Sequence, residues 1–556
     1  MSKPLWGTAF LVCCACLCCL SAGVASAQDT ARVVVVATTD VHGRVMHWDY
    51  ERDREAPWGL SRAATVVDSL RRTYPGQVVL VDAGDLLQGN PFAAYFATVR
   101  RVRPHPIVEA MNVLGYDAAV PGNHEFDFGL EFLERSTADA KYRIVAGNVF
   151  RLPQRTFLYL DGATVERGTV RVGIAGFTTP GVMVWNGGHL VGRVVVEPIL
   201  PHADRSLREL QARGAHLKVV LIHSGLDGVS SYDTAGVGAE NVAAALAGLG
   251  VKPDLVVVGH SHRRLRDSVI EGVHFVQPDP WARSLSVVHV LLTGDSSAGN
   301  WKVDRIAGEL VPLQNVVPDP RVAGRFAPFH EEVRAWVLRP IATTRERWSA
   351  QYARVEDTPI IDFINRVQQS VTGAQLSATA AFNVEAGFGP GPIRLGDVAA
   401  LYPYENTLKA VKIDGATLKW YLEKSALYFR TFRPGEPIVN DSVPGYNFDI
   451  VSGVSYSIDL SRPPGSRIRD LEYRGRPVTP ADTFTLALNS YRQAGGGGYD
   501  RLRQLPVIYD RGESLRDLLV EAMRRAGELK TSDYFEPSWQ LLPPQAREAA
   551  RKAFSR

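Results

Sequence analysis

The chain has 556 residues, too long for one ordinary domain and long enough to bury two sizeable cores. At 45% hydrophobic and 22% charged residues it is globular rather than disordered. A net charge of +3 gives no support to a nucleic-acid-coating surface and is compatible with a small charged substrate.

The first residues read as a processing signal. Lys3 supplies a short positive region, residues 5–20 are apolar and uncharged, and Ala25-Ser26-Ala27 is a small-residue cleavage box, so the mature chain is expected to begin at Gln28. A membrane anchor is the competing interpretation, but the box and the abrupt polar continuation favour cleavage. No lipoprotein box precedes a cysteine, and all five cysteines (Cys13, Cys14, Cys16, Cys18 and Cys19) lie inside this segment. An exported chain without thiols suits a periplasmic or secreted protein that relies on its core, with no membrane association once the signal is removed.

From Arg32 to about Val311, β-branched runs alternate with amphipathic stretches, which predicts an α/β sandwich. Helices are predicted over 61–72, 106–114, 129–138 and 202–213, and residues 285–292 and 301–310 resemble a closing hairpin. Apolar runs at 33–36, 78–81, 118–120, 219–222 and 255–258 each precede a polar cluster. The clusters are Asp40-Val41-His42, Gly84-Asp85, Gly122-Asn123-His124-Glu125-Phe126-Asp127, His223-Ser224-Gly225 and Gly259-His260-Ser261-His262. The carboxyl ends of strands in open α/β sheets face one crevice, where ligands bind. Seven side chains delivered there (Asp40, His42, Asp85, Asn123, His223, His260 and His262) describe a two-metal site, with Asp85 as the candidate bridge. Mixed imidazole and carboxylate donors suit Mn, Co, Zn, Fe or Mg without selecting one. His47, His189, His202 and His216 lack this strand-end context, and Asp82, inside a strand run, reads as structural.

The series of clusters closely resembles the calcineurin-like metallophosphoesterases, in their 5′-nucleotidase branch. The resemblance implies that Asp40, His42, Asp85 and His262 hold one ion and that Asp85, Asn123, His223 and His260 hold the other. It implies also that His124 acts on the transition state without binding metal, oriented by Asp127. A histidine beside two cations serves as a general acid when a carboxylate fixes its tautomer.

Pro318 to Pro320 and the segment 340–357 mark a change, with a linker at 315–356, a helix over 328–337 and a second helix, 360–371, after an Asp357-Thr358-Pro359 start. The expected organisation is therefore a signal at 1–27, a dimetal domain at 28–314, the linker, and a second α+β domain at 357–556. The resemblance implies an interdomain helix and large domain rotation.

The second half carries aromatics and glycines where the first carries metal donors: Leu401-Tyr402-Pro403-Tyr404-Glu405-Asn406-Thr407-Leu408, Gly445-Tyr446-Asn447-Phe448-Asp449, and a run from Asn489 through Gly498 to Tyr499. Rings facing each other can sandwich a nucleobase, and a glycine run lets a ligand approach the backbone. These clusters look most like those of the periplasmic 2′,3′-cyclic-nucleotide 2′-phosphodiesterase/3′-nucleotidases. That resemblance implies base stacking by Tyr404 and Tyr491, with Tyr491, Arg492, Gln493, Ala494, Gly495 and Gly496 lining the substrate. In 5′-nucleotidases the stacking pair matches Phe448 and Tyr499 instead, and the region of Asn383 holds an arginine for the phosphate side that this chain lacks. The expectation is thus an exported, monomeric dimetal hydrolase of 2′,3′-cyclic and 3′-nucleotides, cleaving by attack of a metal-activated water on phosphorus and taking no nucleic-acid polymer. A 5′-nucleotidase or UDP-sugar hydrolase is the alternative, and a non-catalytic nucleotide-binding surface protein is the alternative of another class.

Overall fold

A computed structural model describes residues 29–230, 233 and 235–555; the expected signal segment, with its cysteines, lies outside the described residues. The first half is a four-layer α/β sandwich. Its strands, in chain order, are Asp29–Thr38 (β1), Val78–Asp82 (β2), Ala118–Ala119 (β3), Arg143–Ile144 (β4), Gly162–Arg167 (β5), Val170–Thr178 (β6), Leu217–His223 (β7), Leu255–Val258 (β8), Leu265–Ile270 (β9), Val273–Gln277 (β10), Ser284–Asp295 (β11) and Asn300–Pro312 (β12). One sheet has the order β12-β11-β1-β2-β3-β4 and the other β9-β10-β8-β7-β6-β5. β1 to β4 run parallel in the first, and β6, β7, β8 and β10 in the second.

Side-chain alternation along each strand explains the layers. In β1, Val33 and Val35 pack into a core shared with Val172, Ile174, Leu217, Val219, Leu255 and Val257, between the two sheets. Val34 and Val36 point the other way, under the helices Leu60–Thr73 (α1) and Pro106–Leu114 (α2). On the far side, Val220, Ile222, Val256 and Val258 pack under Ile199–Ala212 (α3), through its Ala203, Leu207 and Leu210. Strands buried on both faces need continuous apolar runs, as the sequence shows.

The helix expected at 328–337 begins earlier, at Pro320–Val337 (α4). Asp319 caps it by accepting from the Arg321 and Val322 N–H groups, and Pro320 occupies the first turn. Its buried Val322, Phe326, Val333 and Val337 belong to the core under α1 and α2. The second half has a five-stranded sheet formed by Leu376–Ala380 (β13), Thr407–Asp414 (β14), Asp449–Ser452 (β15), Thr483–Asn489 (β16) and Val507–Ser514 (β17), in the order β15-β13-β16-β14-β17. The helix Pro359–Thr372 (α5) packs against it, in a core running from Ala342 to Ala550. No helix among the described residues is long and apolar enough to cross a membrane.

Candidate active site

The parallel strands of both sheets end on one rim. β1, β2 and β3 deliver Asp40, Asp85 and Asn123-His124 from one sheet, while β7 and β8 deliver His223 and His260-Ser261-His262 from the other. The loops are tied together by backbone bonds from Asp40 N–H to the Gly84 carbonyl (2.8 Å) and from His42 N–H to the Asp85 carbonyl (2.8 Å). Asp40, His42, Asp85, His260 and His262 all have positive φ, between 49° and 73°. Such conformations cost free energy in non-glycine residues and persist only when the surroundings enforce them, which is common at functional sites. At Gly122 a Cβ would fall on the Asp85 carboxylate, so the close approach of the two loops requires glycine.

Two groups of donor atoms converge, Asp40 with His42 and His262, and Asp40 with Asp85 and His223. His42 Nε2 lies 3.1 Å from His262 Nε2 and 3.9 Å from Asp85. His223 Nε2 lies 3.1 Å from both Asp85 and the Asn123 side-chain oxygen. His260 Nδ1 is 3.0 Å from that same oxygen, and His262 Nε2 is 3.2 Å from Asp40. The outer nitrogens of His42 and His223 donate to the Gln88 carbonyl (2.8 Å) and the Ala83 carbonyl (2.7 Å), so neutral rings turn their Nε2 lone pairs inward. Lone pairs facing carboxylate oxygens demand positive charge between them. Burial would lower the His223 pKa, but the Asp85 carboxylate outweighs it and lifts it to about 9, whereas burial holds His42 down at about 3. Burial would likewise raise Asp40, but the His262 and His223 charges bring it to about 2. This set of inward imidazole nitrogens and carboxylate oxygens fits divalent cations.

His124 stands beside the cluster. Its Nδ1 pairs with Asp127 at 2.7 Å, its backbone N–H donates to Asp85 (2.8 Å), and its ring is partly open to the cleft. Burial opposes its charge, but Asp127 and Asp85 prevail and raise it to about 10. Asn186, which lay in no sequence cluster, donates to the other Asp127 oxygen at 2.9 Å. Glu125 accepts from the Asp85, Leu86 and Leu87 N–H groups (2.9, 2.6 and 2.9 Å) and from Gly122 N–H (2.5 Å), so one buried carboxylate fixes both loops. Asp82 is buried and accepts from Thr38 and Gly84.

In the second half, Tyr404 is 38% exposed, held edge-on by Phe382 at 5.1 Å, and Tyr491 is half-buried. Tyr446, from the second aromatic cluster, is 39% exposed and electrostatically close to both tyrosines. Several other expected contacts are buried in this structure. Phe448 is 1% exposed among Tyr428, Phe429 and Trp539, and Tyr499 is 1% exposed with its hydroxyl donating to the Asn447 carbonyl. Both are core residues without a free ring face. Arg492 is buried too, paired with Asp449 at 2.6 Å and donating to the Tyr446 and Gly496 carbonyls. It fixes the loops bearing Tyr446 and Tyr491. Gln493, Gly495 and Gly496 are buried, Ala494 is half-buried, and Asn383 bonds the Ala400 carbonyl and Glu385 N–H.

Comparison with known proteins agrees with this architecture. Residues 33–264 match the family profile "Calcineurin-like phosphoesterase" and residues 340–504 match "5'-nucleotidase, C-terminal domain". The chain is 30% identical to a 2′,3′-cyclic-nucleotide 2′-phosphodiesterase/3′-nucleotidase of Yersinia enterocolitica, over 84% of this chain and 81% of that protein. It is 29% identical to the trifunctional nucleotide phosphoesterase protein YfkN of Bacillus subtilis, over 93% of this chain but only 39% of that longer protein. A Staphylococcus aureus protein crystallised with alpha-ketoglutarate superposes with a TM-score of 0.79 at 26% identity, over 92% of this chain and all of that one. The chain belongs to the calcineurin-like phosphoesterases that carry a 5′-nucleotidase C-terminal domain, a family of phosphoester hydrolases that use divalent metals.

Proposed function

We propose that this protein is an exported dimetal phosphohydrolase that converts 2′,3′-cyclic nucleotides and 3′-nucleotides to nucleoside and phosphate. The observation that carries it is the convergence of Asp40, His42, Asp85, Asn123, His223, His260 and His262 on one rim, with His124 and Asp127 alongside. Asp40, His42, Asp85 and His262 would hold one ion, and Asp85, Asn123, His223 and His260 the other. Divalent ions, when bound, supply Lewis-acid polarisation of the phosphoryl oxygens and activation of the attacking water. Asp127 and Asp85 keep the His124 ring cationic, so with Nδ1–H donating to Asp127 a second proton remains on Nε2 for the leaving ribose oxygen. Asn186 and Asp127 keep that ring in place. Tyr404 and Tyr491 grip the base, so the site combines both halves of the chain.

Exposure at Tyr404 and burial at Phe448 and Tyr499 favour the cyclic and 3′-nucleotide substrates over 5′-nucleotides, whose stacking pair would need the buried residues. Product analysis on 2′,3′-cyclic AMP, 3′-AMP and 5′-AMP with Mn(II) tests this. Adenosine from the first two and little from 5′-AMP is expected; a dominant 5′-AMP activity overturns the substrate assignment. No turnover of any of the three after metal loading overturns the enzyme assignment.

A further inference from the structure

Each of three proposed ligand histidines anchors the ring nitrogen turned away from the donor cluster. For His42 and His223 the anchor is a neutral backbone carbonyl. For His260 it is a carboxylate: Glu240 Oε1 lies 2.6 Å from His260 Nε2. The other Glu240 oxygen accepts from the Ser230 hydroxyl. Glu240 is 9% exposed, and its backbone is clamped on both sides. Its N–H donates to Asp233 (2.9 Å), and its carbonyl accepts from Ser224 Oγ (2.6 Å), the residue after His223. The loop leaving β7 thus folds back to place one acid against the histidine delivered by β8. Trp185 stacks on the His260 ring with centroids 5.6 Å apart, so the ring is fixed on a face as well as an edge.

Charge gives this arrangement a purpose. The proposed donors of the first ion include two carboxylates, Asp40 and Asp85. Those of the second include only the shared Asp85, beside neutral Asn123, His223 and His260. We propose that Glu240 is a positioning residue for the second ion: it holds His260 with Nδ1 toward that ion and supplies the negative charge its donor set lacks. A carboxylate behind a ligating histidine fixes the ring's orientation and raises its basicity, and removing such a partner typically weakens metal binding about 10–100-fold.

This inference rests on the dimetal reading above, so the test uses metal binding as well as turnover. The full mature chain is titrated with Mn(II) by calorimetry and followed by electron paramagnetic resonance, which distinguishes a spin-coupled pair from single ions. Two ions are expected on the wild type; fewer than two refutes the dimetal reading itself. In Glu240→Gln the weaker of the two dissociation constants should rise about 10–100-fold. The coupled signal should vanish at stoichiometric metal, and kcat should recover in excess Mn(II) with the nucleotide KM little changed. Two ions bound with wild-type affinity by folded Glu240→Gln, judged by an unchanged melting temperature, would overturn the proposal. If Glu240→Gln does not fold, Ser230→Ala loosens only one Glu240 oxygen and should weaken the second ion severalfold; unchanged binding there is equally fatal.

Discussion

At the scale of single residues, the site is a set of fixed tautomers. His124 differs from the other histidines because its Nδ1 meets a carboxylate while its Nε2 is left to the cleft. His124→Ala should therefore lower kcat about 10²–10⁴-fold, the usual loss of a general acid, while bound metal measured by atomic absorption stays at the wild-type level. Metal lost in proportion would make His124 a ligand. The aromatic residues of the second half separate in the same way. Tyr404→Ala or Tyr491→Ala should raise KM for nucleotides roughly 10-fold, from about 1–3 kcal/mol per stacked base. Hydrolysis of bis(p-nitrophenyl) phosphate should hardly change. Tyr499→Phe loses the hydroxyl's bonds to the Asn447 carbonyl and Ser425 and should leave KM untouched while lowering stability by about 1 kcal/mol. A nucleotide KM raised as much by folded Tyr499→Ala as by Tyr491→Ala would return Tyr499 to the substrate. Only the resemblance separated these tyrosines; the residues preceding Tyr491 and Tyr499 do not, because burial is decided by partners as distant as Trp420 and Tyr421. Glu240 was invisible for a related reason, being 20 residues from His260 and in no recognisable cluster.

At the scale of elements, strand ends were the legible feature. An apolar run followed by Asp, Asn or His is read directly, and the α/β alternation places those ends on one rim. Helix starts were less legible: Pro318 and Pro320 read as a break, yet Asp319 and Pro320 cap and begin α4. Pro328 sits inside that helix, where a sequence reading starts a new one. Helix α5 carries a different consequence in its first turn. Asp362 is buried there, with Oδ1 accepting from Ser452 (3.3 Å) and Oδ2 from Glu536 N–H (3.0 Å). Burial, with the Asp357 charge nearby, pushes its carboxyl up to about 7 from the usual 3.8. Between those values the folded chain keeps a proton that the unfolded chain has lost. The contribution of Asp362 to stability therefore falls as pH rises from about 4 to 7 and stays low above that. Asp362→Asn removes the titration, so its melting temperature relative to wild type should be more favourable at pH 8 than at pH 5. Any fixed hydrogen-bond cost of the amide cancels in that contrast. An identical difference at both pH values would show that Asp362 ionises normally.

At the scale of the whole molecule, the question is where one unit ends. The sequence places the first domain at 28–314, followed by a linker, but the buried side chains of α4 pack with α1 and α2 in the first half's core. The second core begins at Ala342, and Trp336 packs against both. The independent catalytic unit is thus predicted to end near Leu338. A piece ending at 314 forfeits Val322, Phe326, Val333 and Val337. Burying each is worth about 1.5–3 kcal/mol, together comparable with the roughly 5–15 kcal/mol that stabilises a whole domain. Expressed alone, residues 29–338 should fold and, with Mn(II), hydrolyse bis(p-nitrophenyl) phosphate. Their KM for 3′-AMP should rise by roughly 10²-fold, because Tyr404 and Tyr491 are gone and each stacked ring contributes about 1–3 kcal/mol. Residues 29–314 should instead be insoluble or melt far lower. Equal melting temperatures for the two pieces would put the boundary back at 314. An unchanged nucleotide KM in the longer piece would show that the base is read by the first half alone, and that the site does not span both halves of the chain.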